Sequence, residues 1–296
     1  MRPRSAAEPV LRERAPAKLN LDLLVTGRRP DGYHELDSLV VFADPADELR
    51  FAPAPLLQLE VAGPFAAELP TGEANIVLRA ARLLAERTGV EGNARIGLVK
   101  RLPVAAGIGG GSADAAATLR GLRRLWNLSL DDRTLAALGL ALGADVPVCL
   151  AGTPSRMRGI GERLEPLPNL PALDLVLVNP RRPLATAAVF GALRLERPSE
   201  RDEPSALPRT PEALVERLAG TRNDLEAPAR TLLPAIGEVL AALVSDPACR
   251  LARMSGSGPT CFGIFPDAAA ARTAAARLAA ARPDWWVVAC RSGGGA

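Results

Sequence analysis

Leu19, Leu21, Leu23 and Val25 alternate with Lys18, Asn20, Asp22 and Leu24. A period of two is that of a strand, and it places Lys18 and Asn20 on the same face. The run 27–32, Gly-Arg-Arg-Pro-Asp-Gly, reads as a turn. Apolar runs at 36–42 and 56–61 predict two further strands. The period then lengthens: Ile76, Ala80, Leu83 and Leu84 predict a helix over 75–86.

A strand at 96–102 runs directly into a glycine-rich stretch at 103–112. An Ala-rich helix follows, with Leu119, Leu122 and Trp126 on one stripe and Ser112 as its expected N-cap. A further helix at 130–142 should stop at Gly143. The Pro-bounded segment 166–171 marks a domain boundary, dividing the chain into 1–168 and 169–296. Beyond it the pattern predicts strands at 173–178, 261–265 and 285–290, and helices at 211–218, 225–244 and 268–281. The charged, Pro-rich run 196–211 reads as a loop. No repeat of 20–50 residues is visible. Strands and helices mixed at uneven spacing favour an α+β fold over a regular doubly wound sheet.

Composition narrows the picture. A chain of 296 residues suggests two domains at about 150 residues each. With 48% hydrophobic and 23% charged residues it reads as globular, which argues against wholesale disorder. The formal charge of +3 is too small to call for a nucleic-acid partner. The cysteines, Cys149, Cys249, Cys261 and Cys290, have no CxxC spacing, and His34 is the only histidine. A zinc site or a disulfide framework is therefore not expected, and a reduced cytoplasmic compartment is. Residues 1–14 are polar and Arg-rich, unlike a secretory signal. No apolar stretch approaches the ~20 residues of a membrane span.

Four places carry candidate chemistry. In Gly107-Ile108-Gly109-Gly110-Gly111-Ser112, four glycines in five positions let backbone N–H groups converge, and a helix N-terminus adds its positive dipole end. That suits a polyanion such as a triphosphate; a flexible loop capped by Ser112 is the plainer alternative. The spacing is neither a Walker loop nor a dinucleotide fingerprint. The second is the set of rare residues. Lys18 and Lys100 are the only lysines, and Tyr33 is the only tyrosine. Retained lysines suit sites needing a compact point charge, although a solvated strand face explains Lys18 as well. Third, Asp145, amid apolar neighbours after a helix, could polarise a substrate hydroxyl or simply cap a turn. Fourth, Ser255-Gly256-Ser257-Gly258-Pro259-Thr260 could approach a ligand or the first glycine-rich loop, or be a plain turn.

In this order the pieces resemble a small-molecule kinase of the GHMP superfamily. The resemblance rests on Ala15-Pro16-Ala17-Lys18-Leu19-Asn20-Leu21, Asp31-Gly32-Tyr33-His34-Glu35-Leu36, Asn75-Ile76-Val77 and Lys100-Arg101-Leu102-Pro103 with the glycine-rich loop. It continues through Leu142-Gly143-Ala144-Asp145-Val146-Pro147, Gly159-Ile160-Gly161-Glu162, Asn223-Asp224-Leu225-Glu226 and the turn at 255–260. It implies two domains, the first ribosomal-protein-S5-like and the second ferredoxin-like, with the active site in the cleft between them. The Tyr33-His34 segment points within the superfamily to a cytidyl-diphosphate acceptor, phosphorylated by ATP on the 2-hydroxyl of a methylerythritol moiety.

On that resemblance Lys18 and Asp145 would form the catalytic pair, with Asn20 positioning the acceptor. Tyr33, His34 and Phe190 would bind its cytidine end. Asn75 and Lys100 would lie near the adenosine, and Pro103, Gly107, Gly109, Gly110, Gly111 and Ser112 would hold the phosphates. Mg²⁺ would bridge those phosphates with few protein donors, Ser112 among the candidates. A small-molecule partner, no nucleic acid, no membrane and a monomer or weak homodimer complete the expectation. Three alternatives stay open: a homoserine or mevalonate kinase of the same superfamily, a non-catalytic nucleotide-binding module, and an RNA-associated structural protein, which the even charge balance opposes. Two departures from the pattern stand out. Ala105 and Ala106 replace frequent glycines, and Ser155-Arg156-Met157-Arg158 replaces a more apolar stretch.

Overall fold

The computed structural model describes residues 10–194 and 208–293. The chain opens with β1 (Leu11–Asn20), β2 (Leu24–Arg28), the long β3 (His34–Ala52), β4 (Gln58–Ala62), α1 (Ile76–Thr88) and β5 (Arg95–Val99). Helices α2 (Gly110–Leu125), α3 (Asp132–Leu142) and α4 (Val146–Ala151) follow, then β6 (Ser155–Gly159) and β7 (Arg163–Pro166). The second half holds β8 (Asp174–Asn179), α5 (Thr186–Ala192), α6 (Pro211–Ala219), α7 (Glu226–Leu232), α8 (Ala235–Val244), β9 (Leu251–Met254), β10 (Cys261–Phe265), α9 (Ala268–Ala281) and β11 (Trp286–Gly293).

β3 organises the first half. It pairs antiparallel with β1, β2, β5 and β6, while β4 adds to β5 in parallel. The β1–β3 register jumps between Pro16 and Ala17, whose partners are Ala46 and Ala43. Proline cannot donate to the ladder, so a bulge there is expected. Helix α1 shows how local chemistry sets an element. The Asn75 side chain accepts from the Val77 amide at its start, and Gly89 ends it with φ of 71°. Val77, Ala80, Ala81 and Leu84 turn one face inward, joining α2 and the β3–β5 sheet in the first core.

In the second half the antiparallel order is β9-β10-β8-β11, and the chain runs strand, helices, two strands, helix, strand. This is the expected ferredoxin-like arrangement. Ser292 and Gly293 of β11 reach across to Ala43 and Phe42 of β3, linking the two halves. Behind that link Leu19, Leu21, Leu39, Leu175, Leu177 and Phe262 share one buried cluster drawn from both halves. The two halves are therefore clamped along one side, which leaves a cleft on the other.

Several expectations need correction. The strand predicted through Leu19–Val25 is interrupted at 21–23. There Asp22 Oδ1 accepts from the Leu39 amide at 2.7 Å, and Ser38 Oγ donates to Asp22 O at 2.6 Å. Side chains thus replace part of the ladder. The second predicted strand is far longer, and the single helix predicted at 225–244 breaks before Pro234, which lacks the N–H a continuing helix needs. The Arg-containing run 155–158 is β6, paired to β3. Its arginines stand on one face and are paired: Arg156 grips Asp37, with Nη2 to Oδ2 at 2.6 Å, and Arg158 donates to Glu165 at 2.7 Å. Alternation thus takes the place of an apolar run. Most of the loop expected at 196–211 lies outside the described residues. Among the described residues no helix is long and apolar enough to cross a membrane.

Candidate active site

β1 carries Lys18 and Asn20 into the cleft. Lys18 Nζ donates to Asn20 Oδ1 at 2.8 Å and lies 2.9 Å from Asp145 Oδ2. Asn20 is held in turn: its Nδ2 donates to Ser38 Oγ at 2.7 Å, and its amide donates to Ser255 Oγ at 3.0 Å. Asp145 follows Gly143 and precedes α4, but its side chain does not cap that helix. It is therefore left to face Lys18. The Lys18 side chain is 4% exposed and that of Asp145 34%, so the pair opens to the cleft through the acid.

The glycine-rich loop crosses above β1, its Ile108 carbonyl accepting from the Lys18 amide at 2.9 Å. Two of its glycines are sterically required. Gly107 has φ of 71°, and a Cβ there would meet Gly258 O at 2.5 Å; Gly109 has φ of 64° and would bring one to 3.0 Å from Lys18 Cβ. The Ser255–Thr260 turn thus packs against the first loop, and Ser255 Oγ donates to Gly107 O at 3.2 Å. Ala105, which stands where glycine is frequent, does adopt a positive φ of 51°. For a residue with a Cβ that costs about 1–2 kcal/mol.

Ser112 is not the N-cap of α2. The cap is Gly109, and Ser112 lies inside the first turn. Because no side chain caps this helix, its first amides are not taken up by a capping group. At a 16-residue helix this leaves donors and dipole for an anion.

Asn75 is buried as the cap of α1, with its Nδ2 donating to Pro70 O at 3.1 Å. Lys100 lies beneath the loop, 1% exposed, and donates to Asp47 Oδ2 at 2.6 Å and Asp114 Oδ2 at 2.5 Å. Burial works against its ammonium, but Asp114 and Asp47 outweigh it and raise its pKa. Asp114 moves the other way for an acid. Burial, reinforced by Asp47 and opposed by Lys100, pushes it up to about 7. Two acids share one ammonium, and the Oδ1 of Asp114 has no hydrogen-bond partner.

At the other end of the cleft His34 stacks on Phe190 of α5, ring centroids 5.0 Å apart and planes 24° from parallel. Partial burial, with the Arg28 charge nearby, lowers the His34 pKa. Tyr33 is 59% exposed beside them. Ser257 and Thr186 hydroxyls, 2.8 Å apart, tie α5 to the second glycine-rich turn. One cleft of about 1170 Å³ is lined by all these sequence-predicted residues, from Tyr33, His34 and Phe190 past Lys18 and Asp145 to Asn75 and Lys100. The sequence reading placed Ser255 in its second glycine-rich turn but missed Asp47 and Ser38. Neither stands out locally: Ser38 follows Asp37, and Asp47 precedes Glu48.

Comparison with known proteins gives concordant results. Residues 75–153 match the family description "GHMP kinases N terminal domain", and 205–284 match "GHMP kinases C terminal". The 4-diphosphocytidyl-2-C-methyl-D-erythritol kinase of Paramagnetospirillum magneticum is 60% identical over 92% of this chain and 95% of its own length. A crystal structure of 4-(cytidine 5'-diphospho)-2C-methyl-D-erythritol kinase superposes with a TM-score of 0.77 at 39% identity, covering 96% of this chain and 100% of that one. A homoserine kinase from Cytophaga hutchinsonii, at 18% identity and a TM-score of 0.68 over 100% of this chain and 98% of its own, shares the fold.

Proposed function

Since the chain belongs to the 4-diphosphocytidyl-2-C-methyl-D-erythritol kinases of the GHMP superfamily, we propose that it transfers the γ-phosphoryl group of ATP to the 2-hydroxyl of 4-diphosphocytidyl-2-C-methyl-D-erythritol, a step in isoprenoid precursor synthesis. The observation that carries the chemistry is the 2.9 Å approach of Lys18 to Asp145 beside the glycine-rich loop. Phosphoryl transfer needs little covalent help from a protein; positioning and charge stabilisation do most of the work. Asp145 accepts or orients the proton of the attacking hydroxyl. Lys18 holds Asp145 in place and balances negative charge gathering on the transferred group. Asn20, fixed by Ser38 and Ser255, limits where the Lys18 ammonium can sit.

The phosphates bind the uncapped amides of α2 and the loop from Pro103 through Gly107, Gly109, Gly110, Gly111 and Ser112, with Asn75 and Lys100 on the nucleoside side. The cytosine is read by Tyr33, His34 and Phe190, and the observed His34–Phe190 stack supports an aromatic slot there. The donor set fits Mg²⁺ carried with the nucleotide. Among the described residues no three Asp, Glu, His or Cys side chains gather into a metal cage. Mg²⁺ typically keeps several waters and takes one or two protein donors beside phosphate. Ser112 would be one such donor, and the ion would neutralise phosphate charge. The strands before residue 167 gather on β3 and those after residue 173 on β8, the two groups joined through the Ser292–Ala43 and Gly293–Phe42 pairs; that grouping supports a division into 1–168 and 169–296. Four free cysteines support a reduced, cytoplasmic compartment, and a cleft lined by residues of one chain supports a monomer or weak homodimer.

The test is ATP consumption with the cytidyl-diphosphate sugar alcohol, beside homoserine and mevalonate. Turnover with the first alone is expected. Preference for either of the others would replace the proposed acceptor.

A further inference from the structure

We propose that Asp47 is a positioning residue for nucleotide binding, its one carboxylate fixing both ends of the glycine-rich loop. The proposal rests on the kinase reading above, because it names what sets the shape of that reading's phosphate cradle.

Asp47 is fully buried on β3, just past the register jump opposite Pro16 and Ala17. Its Oδ1 accepts from the amides of Arg101 at 2.5 Å and Leu102 at 2.9 Å, the last residues before the loop begins at Pro103. Its Oδ2 accepts from Lys100 Nζ at 2.6 Å, and Lys100 passes the connection to Asp114 Oδ2 at 2.5 Å. Asp114 belongs to the second turn of α2, the helix into which the loop runs. One oxygen therefore holds the loop's entrance, and the other holds its exit through a single ammonium.

The ammonium also abuts the cradle itself. A Cβ added at Gly110 would lie 3.3 Å from Lys100 Nζ, so Lys100 supports the first residue of α2 from below. Any shift of Lys100 would carry to the amides that face an incoming phosphate.

Stability alone is a poor account of this cluster. Three charged groups are withdrawn from water, the acids outnumber the lysine, and Asp114 Oδ1 is left without a partner. Well-packed apolar residues often close such a joint as stably or more so. What an apolar joint lacks is direction: it cannot tie two named backbone amides and a helix to one point.

Asp47→Asn keeps the side chain's size and one acceptor oxygen but turns an N–H group toward Lys100. The variant should raise KM for ATP roughly ten- to a hundredfold, with kcat and KM for the cytidyl acceptor changed less than about threefold. ATP affinity measured calorimetrically without acceptor should fall in parallel. A purely structural role would instead lower the folded fraction, reducing apparent kcat with both KM values unchanged; that result overturns the proposal. So does an ATP KM within about twofold of wild type. If Asp47→Asn does not fold, Asp47→Glu keeps a negative charge for Lys100 but displaces the oxygen that accepts from the Arg101 and Leu102 amides. The same ATP-selective loss is expected there, and failure of both variants to fold assigns Asp47 to stability and overturns the proposal. Because ATP affinity is read without acceptor, the two readings separate. Wild-type protein that binds ATP but ignores the cytidyl acceptor sinks the substrate assignment and leaves the role of Asp47 to be decided by its own variants.

Discussion

The chain's only two lysines each meet aspartate, in opposite surroundings. Lys18 faces one acid at the wall of the cleft, and that acid is a third exposed. Lys100 is sealed beneath the loop between two acids that are themselves buried. The same two functional groups thus make two different devices. Near water, the ion pair is free to exchange partners, which is what the proposed hydroxyl and phosphoryl group would require of it. Away from water, a broken contact leaves an unsolvated charge, so the arrangement resists change and suits a joint. Exposure and stoichiometry, more than residue type, separate a reactive pair from a structural one.

The comparison predicts opposite responses to the removal of one charge. The largest effect should come from Asp145→Asn, which lowers kcat by roughly 10²–10⁴ with ATP KM and melting temperature little changed. Steady-state rates and a thermal scan check it; near-normal turnover would remove Asp145 from the chemistry. Lys100→Met should act the other way round. It strands two buried acids and should cost about 3–5 kcal/mol of stability, read from denaturant midpoints. If Lys100→Met were as stable as wild type, the buried cluster would not be a joint.

The smallest effect sharpens the account of the excess acid. Folding raises the Asp114 pKa from 3.8 to about 7, so between those values the folded chain binds more proton than the unfolded one. Its contribution is fully present below the unfolded value and is lost as pH rises toward 7. Asp114→Asn should therefore flatten the fall in stability between about pH 4 and pH 7. An unchanged slope in denaturation curves across that window would mean that Asp114 stays ionised.

The contrast between the two lysines also separates what could be read along the chain from what could not. The glycine-rich loop was legible because a run of four glycines in five positions before an Ala-rich stretch is a local pattern. The shared face of Lys18 and Asn20 was legible because strand alternation fixes it within three residues. Ser112 was misplaced as a cap, since glycine in the left-handed region at 109 starts the helix earlier than composition suggests. The arginines of 155–158 had no visible purpose until β6 lay against β3 and gave Arg156 its partner Asp37.

Residue types and short-range spacing by themselves determined most of the strands and helices, the glycine-rich loop and the residues able to do acid–base and charge work. Which acid would serve which lysine was decided only by the tertiary structure. That choice depends on where β1, β3, β5 and the starts of α2 and α4 come to rest, and on how much water remains there. Coulomb interactions act through space, and their strength follows the surrounding medium. Neither separation nor hydration exists until the chain has closed around the cleft.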